Sequence, residues 1–265
     1  MMSDSLVMAG AYPATRPVAP KVAFDPQHSA NPADLSGRHN RDLEASAERL
    51  ERGRGYRDLS TICVVPTRGQ ISARVVQSWM NLMSPMNQKF TRLFITGMEV
   101  GAAYNAAIEQ ILAHPELSQW KYLLTLEEDN LPPPDGLLKL YESIDKFDVV
   151  GGLYWTKGEG GQPMIYGDPT VMPRNFAPQV PKLEQVQPAN GLGMGFNLFR
   201  LDLFKNPKLV KPWFKTLQEY QYGAGASAMT QDLYFYQNAA LCGYRFACDT
   251  RVRVGHYEAS QDIIW

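Results

Sequence analysis

From residue 60 onward, short apolar runs alternate with stretches whose apolar residues recur every three or four positions. TICVVP (61–66) is a continuous run rich in β-branched residues, the pattern of a strand buried on both faces. In ISARVVQSWMNLM, Ile71, Val75, Trp79 and Leu82 share one helical face, and RLFIT (92–96) predicts a second strand. Residues 101–113 predict a helix with Ala103, Ala107, Ile111 and Leu112 near one face and Pro115 as its stop. YLLTLEED (122–129) predicts a third strand whose apolar body runs into acid, Asp135 stands where it can cap the helix LLKLYESI, and DVVGGLYW (148–155) predicts a fourth strand. After these come GFNLFR, the helix DLYFYQNAALCG with Gly243 as its stop, and YRFACD followed by VRVGH. The order β-α-β-α-β-α-β predicts an α/β fold with a mainly parallel sheet flanked by helices. Ligands of such sheets gather outside the carboxyl ends of the strands.

Two segments break the pattern. Residues 1–58 carry Pro13, Pro17, Pro20, Pro26 and Pro32 among small polar residues, too little apolar surface to offset the entropy of ordering. They are read as a low-complexity arm preceding a domain over 59–265. Residues 156–190, rich in Gly and Pro, predict a long loop or short hairpins that close over a substrate. Within them GEGG (158–161) has the spacing of neither common phosphate-binding glycine motif and reads as a flexible lid.

Composition narrows the function classes. With 45% hydrophobic and 20% charged residues the chain is an ordinary globular one. Its 26 Lys and Arg against 27 Asp and Glu, a net charge of -1, give no support to a globally basic nucleic-acid binder. No apolar run approaches the roughly 18 residues of a membrane span, and the first residues lack a secretory signal, so a cytoplasmic protein without a membrane partner is expected. Cys63, Cys242 and Cys248 are too few for a disulfide framework, and with His256 they match no standard zinc spacing.

The sharpest chemical feature is Thr125-Leu-Glu-Glu-Asp-Asn. In an extended chain Glu127 and Asp129 point to one side and Glu128 to the other. Two like charges side by side call for a cation between them, and hard oxygen ligands suit Mg²⁺ or Mn²⁺; an acidic turn at a strand end is the plainer alternative. Asp232 opens a helix, where free N–H groups favour a carboxylate whether or not it does chemistry.

Strand, acid-x-acid, turn, Pro and Asp-led helix together resemble the metal-binding DxD segment of GT-A fold glycosyltransferases. VVPTRG (64–69) resembles the first strand and nucleoside-binding turn of the family-2-like members. VGAAYNAAIEQIL resembles their ARN-type helix, with Asn105 in place and Tyr104 where Arg is usual. GLGMGFNLFRLDLF (191–204) resembles the small-residue loop beneath the donor sugar, and TQDLYFYQNAALCGYRFACDTRVRVGH resembles the ED helix and closing His segment. The resemblance spans residues 60 to 258 and rests on the order of its parts. It implies a Rossmann-like GT-A domain that moves a sugar from a nucleotide diphosphate, UDP above all, to an acceptor hydroxyl. Glu127, Asp129 and His256 would hold the Mn²⁺ or Mg²⁺, and Asp232 would be the base. Pro66, Thr67, Arg68, Asn105, Lys157, Gly193, Met194 and Gly195 would line the donor. Small stand-alone proteins of this kind occur in phages and bacteria, which makes a hydroxymethylated DNA base one candidate acceptor beside a protein side chain or a glycan. Two departures, Glu127 for the usual first Asp and Gln231 for the usual Glu, keep rival readings open. These are a nucleotidyltransferase or nucleotide-sugar hydrolase on the same fold, and a non-catalytic carbohydrate-binding or assembly subunit.

Overall fold

A computed structural model describes residues 57–221 and 225–265, and no side chain between 219 and 227; the predicted arm, apart from its last two residues, lies outside the described residues. The first half of the domain contains β1 (Thr61–Thr67), α1 (Ala73–Asn81), β2 (Phe90–Thr96), α2 (Val100–Ala113), β3 (Tyr122–Leu126), β4 (Asn130–Leu131), α3 (Gly136–Ser143) and β5 (Val149–Leu153). It continues through β6 (Ile165–Tyr166), β7 (Val186–Ala189), β8 (Gly191–Leu192), β9 (Phe196–Arg200), β10 (Leu217–Gln221) and β11 (Gly225–Met229). The helix α4 (Gln231–Leu241) and the strands β12 (Phe246–Arg253), β13 (Gly255–Glu258) and β14 (Ile263–Ile264) complete it.

Seven strands form the central sheet in the order β2-β1-β3-β9-β5-β12-β7. β1 runs parallel to β2 and β3, and β5 parallel to β12. β9 lies antiparallel between β3 and β5, and β7 is antiparallel to β12. With helices on both faces this is a GT-A-like fold, as the resemblance implies. The reversed β9 has a local cause. After β5 no helix carries the chain back to the amino end of the sheet, so the strands that follow, β7 and then β9, enter it in the opposite direction.

β1 explains why a strand without polar alternation sits at the centre. Ile62 and Val64 pack with α2 and α4, through Tyr104, Ile108, Phe235 and Ala239, while Cys63 and Val65 pack with α1 and α3, through Trp79, Leu137, Leu140 and Tyr141. Each such side chain taken out of water contributes about 1.5–3 kcal/mol. Pro66 lies beyond the β1–β3 ladder, which ends at Val64 opposite Thr125, so its missing N–H breaks no bond to β3. Beyond that point β1 and β3 no longer pair.

Arg57 donates to the Tyr122 hydroxyl at 2.6 Å and pairs with Asp145 at 2.6 Å. One expectation needs correction. Asp135 does precede α3 but caps no backbone N–H; its buried carboxylate pairs with Lys139 at 2.6 Å instead. Among the described residues no helix is long and apolar enough to cross a membrane.

Candidate active site

β3 ends at Leu126, three residues before the acidic run does. The Asn130 N–H donates to the Glu127 carbonyl at 3.1 Å, closing a reverse turn, so the side-chain alternation of an extended chain no longer applies. The three carboxylates take three separate partners, with Glu127 and Asp129 still near enough for the charge of Asp129 to act on Glu127.

Glu128 turns to β1. It accepts from the Thr67 hydroxyl at 2.6 Å and from the Arg68 N–H at 2.8 Å, and the Arg68 guanidinium closes on its other oxygen. Burial alone would raise its carboxyl, but these bonds outweigh burial and hold it below the usual range. Glu128 thus ties the β1 turn to the β3 turn. Thr67 ends β1 and Arg68 follows it, with the Arg68 side chain 87% exposed.

Asp129 turns to the other side. Its Oδ2 lies 2.5 Å from Lys157 Nζ and 3.5 Å from His256 Nε2. Burial pushes its carboxyl up, but the hydrogen bonds and charges of His256 and Lys157 prevail and lower it to about 2. His256 reaches this place because β13 pairs antiparallel with β4, setting His256 opposite Asn130, and because the Tyr257 N–H donates to the Asp129 carbonyl at 2.7 Å. Its Nδ1 lies 2.8 Å from the Trp155 carbonyl. A carbonyl only accepts, so Nδ1 carries a proton; in the charged ring Nε2 donates to Asp129, and in the neutral ring its lone pair faces that carboxylate oxygen instead. Two facing acceptors suit a hard divalent cation, which Asp129 and His256 would hold with Glu127 nearby. Among the described residues no group of three ligating side chains forms a ready-made cage. The Lys157 ammonium stands on Asp129.

Glu127 remains close to both other acids. Its carboxyl lies 3.4 Å from the Tyr104 hydroxyl and is pushed up to about 8 by burial, then by the neighbouring charges of Asp129 and Asp232. Such a group binds its proton more tightly in the folded than in the unfolded chain. Its stabilising contribution is full below the ordinary value of 4.5 and is lost as the pH rises through 8. Glu127→Gln, which never ionises, is therefore expected to match the parent's melting temperature at pH 4 and to exceed it by roughly 3 °C or more at pH 9 without added metal. Differential scanning calorimetry at the two pH values checks this; a gap that does not depend on pH refutes it.

Asp232, the second residue of α4, is 5% exposed. Burial raises its carboxyl, although the Thr230 hydroxyl and the Leu233 N–H both donate to its Oδ1. Its charge acts on Glu127, Tyr154 and Tyr236.

The remaining candidates lie beneath this surface. Pro66 is buried within β1. The Asn105 amide is engaged through both its atoms with the Phe214 backbone, at 2.7 and 3.1 Å, and so clamps α2 to the chain ahead of β10. Gly193, Met194 and Gly195 are buried, and a Cβ on Gly195 would fall 2.6 Å from the Asn130 amide. Tyr154 and Trp213 are core residues and Trp155 is half-buried, while the side chains of Tyr220 and Tyr222 lie outside the described residues. By sequence Tyr154 is only an aromatic that could stack on a sugar or base; its Oη accepts from the Gly195 N–H at 2.8 Å, and its place just past β5, at the carboxyl end, was the available signal for that role. For Tyr104 the signal was its departure from the expected Arg.

The sequence matches no protein-family model and no curated protein. Among solved structures, the chain is similar to A197 from STIV, at 18% identity and a TM-score of 0.53, over 75% of this chain and 86% of that one. It also aligns with S. aureus TarS 1-349 in complex with UDP-GlcNAc, at 16% identity and a TM-score of 0.41, over 73% of this chain and 57% of that one. TarS 1-349 alone gives 15% identity and a TM-score of 0.40, over 73% and 59%.

Proposed function

We propose that the protein is a glycosyltransferase that moves a sugar from a nucleotide diphosphate, UDP in the first instance, to an acceptor hydroxyl with the help of Mn²⁺ or Mg²⁺. The observation that carries this reading is a meeting of groups at the carboxyl ends of β1, β3 and β5. Asp129 and His256 face each other and call for a cation, Lys157 and Arg68 bring positive charge, and a buried Asp232 carboxyl stands apart from them. A divalent ion at Asp129 and His256 would offset the negative charge that builds on the departing diphosphate. Arg68, steadied by Glu128, meets that diphosphate. Asp232 accepts the proton of the acceptor hydroxyl as its oxygen bonds to the anomeric carbon and the bond from that carbon to the diphosphate breaks. That is the inverting route.

The acceptor is a hydroxymethylated DNA base, a protein side chain or a glycan. The net charge of -1 weighs against duplex DNA, whose binding draws on neutralised phosphates. Mass-resolved product analysis with several UDP-sugars, pooled acceptors and Mn²⁺ or chelator tests the reading. A glycosylated acceptor supports it; free sugar as the sole product assigns a hydrolase, and pyrophosphate a nucleotidyltransferase. Calorimetry of UDP is expected to show substantial binding only with Mn²⁺, and Asp129→Asn to weaken it about tenfold more than Glu128→Gln. Equal losses from the two substitutions place the ion elsewhere.

A further inference from the structure

We infer that Lys157 is an internal counter-ion with two stations, Asp129 while the donor is absent and the donor's diphosphate once it binds, so that a divalent ion gains Asp129 only as Lys157 leaves it. The inference rests on the nucleotide-sugar reading above and adds how the site admits its ion.

Three observations carry it. The first is distance: Lys157 Nζ is 2.5 Å from Asp129 Oδ2, the same oxygen that His256 Nε2 approaches to 3.5 Å. An ion bound between carboxylate and imidazole would meet the ammonium within a few ångströms, and like charges that close repel by several kcal/mol even at an effective dielectric constant of about 20. The second is mounting. Lys157 sits on a turn fixed at its base by the Trp155–Pro163 bridge and by the Thr156 N–H donating to the Gln162 carbonyl at 2.9 Å. The Gly161 N–H closes its tip on the Gly158 carbonyl at 3.1 Å, with Gly158 and Gly160 in the left-handed region. The predicted flexible lid is thus a held turn, and the part free to travel is the lysine's four-carbon arm. The same turn presents the Trp155 carbonyl to His256, so both partners of Asp129 hang from it.

The third is charge. Lys157 stands against Asp129, whose charge together with that of Asp232 weighs on Glu127. Removing the ammonium with nothing in return would leave this acidic surface uncompensated. A divalent ion and a nucleoside diphosphate arrive as a nearly neutral pair, so the exchange adds little net charge to a partly buried site. Ion and nucleotide should therefore bind cooperatively, because the nucleotide gives the lysine somewhere to go.

Lys157→Met keeps the stem and removes the charge, on a turn where the side chain is 27% exposed. Mn²⁺ binding, read from the loss of the free-ion electron paramagnetic resonance signal, is expected to be about tenfold tighter in the variant than in the parent without nucleotide. Added UDP should strengthen Mn²⁺ binding in the parent and much less in the variant, and Lys157→Arg should behave as the parent. At saturating Mn²⁺ the Met variant should bind UDP about tenfold more weakly. Equal or weaker Mn²⁺ binding by the Met variant, with UDP still bound by both proteins, overturns the two-station inference alone. Absence of UDP binding from both overturns the nucleotide-sugar reading with it. Unfolding midpoints within about 2 °C of each other confirm that the variants fold alike.

Discussion

Asp232→Asn is expected to cut sugar transfer by roughly 10²–10⁴-fold while leaving UDP affinity and the melting temperature close to those of the parent. The two bonds that fix the side chain, from the Thr230 hydroxyl and the Leu233 N–H, both end on Oδ1, and an amide oxygen accepts them as well as a carboxylate does. What the substitution removes is the ability to take a proton. Burial already raises the Asp232 carboxyl, which would make it a better base and shift the acidic limb of the parent's pH–rate profile upward. If Asp232 were only an acid at a helix start, its loss would cost about 0.5–1 kcal/mol and leave turnover unchanged. Turnover and unfolding measured on the same variant separate the two. Near-parental turnover would remove the base and leave the departing diphosphate to take the proton.

Local periodicity made much of the fold legible. TICVVP, Val75 and Trp79 of the predicted stripe, and the stop of α4 at Gly243, whose φ is +88°, depend on neighbours in sequence and were read correctly, while Ile71 falls ahead of α1 and Leu82 caps its end. The direction of β9 was not legible, because it depends on where the chain travels after β5, which no window of residues encodes. The acid triplet was half legible. Its position at the end of β3 followed from composition, but the turn that fans the three side chains out depends on Glu128 meeting Thr67 and Arg68, sixty-one and sixty residues earlier. The meeting of Asp129 with His256 is longer in range still and depends on the short β4–β13 pairing, two residue pairs that no hydrophobic pattern announces. Lys157 was singled out as a phosphate ligand; its contact with Asp129, 28 residues away, needed three dimensions.

The same distinction between surface and support governs Gly193→Ala, which is expected to destabilise the protein by about 2–3 kcal/mol and to lower its melting temperature by roughly 4–12 °C. A Cβ at Gly193 would fall 2.2 Å from Tyr154 Oη and 2.6 Å from Met164 Cε. The methionine end can swing aside, but the tyrosine cannot: it is 1% exposed, its Oη accepts from the Gly195 N–H, and its ring stands edge-on to His256 with centroids 5.5 Å apart. Pushing Tyr154 therefore disturbs the imidazole that faces Asp129. Mn²⁺ affinity should fall together with the melting temperature, although Gly193 touches neither ligand. Had the glycine served only to let a sugar approach the backbone, alanine would weaken donor-sugar binding and leave the unfolding midpoint in place. A melting curve and a Mn²⁺ titration on this variant decide between a glycine that makes room for substrate and one that makes room for Tyr154, and the 2.2 Å approach favours the second.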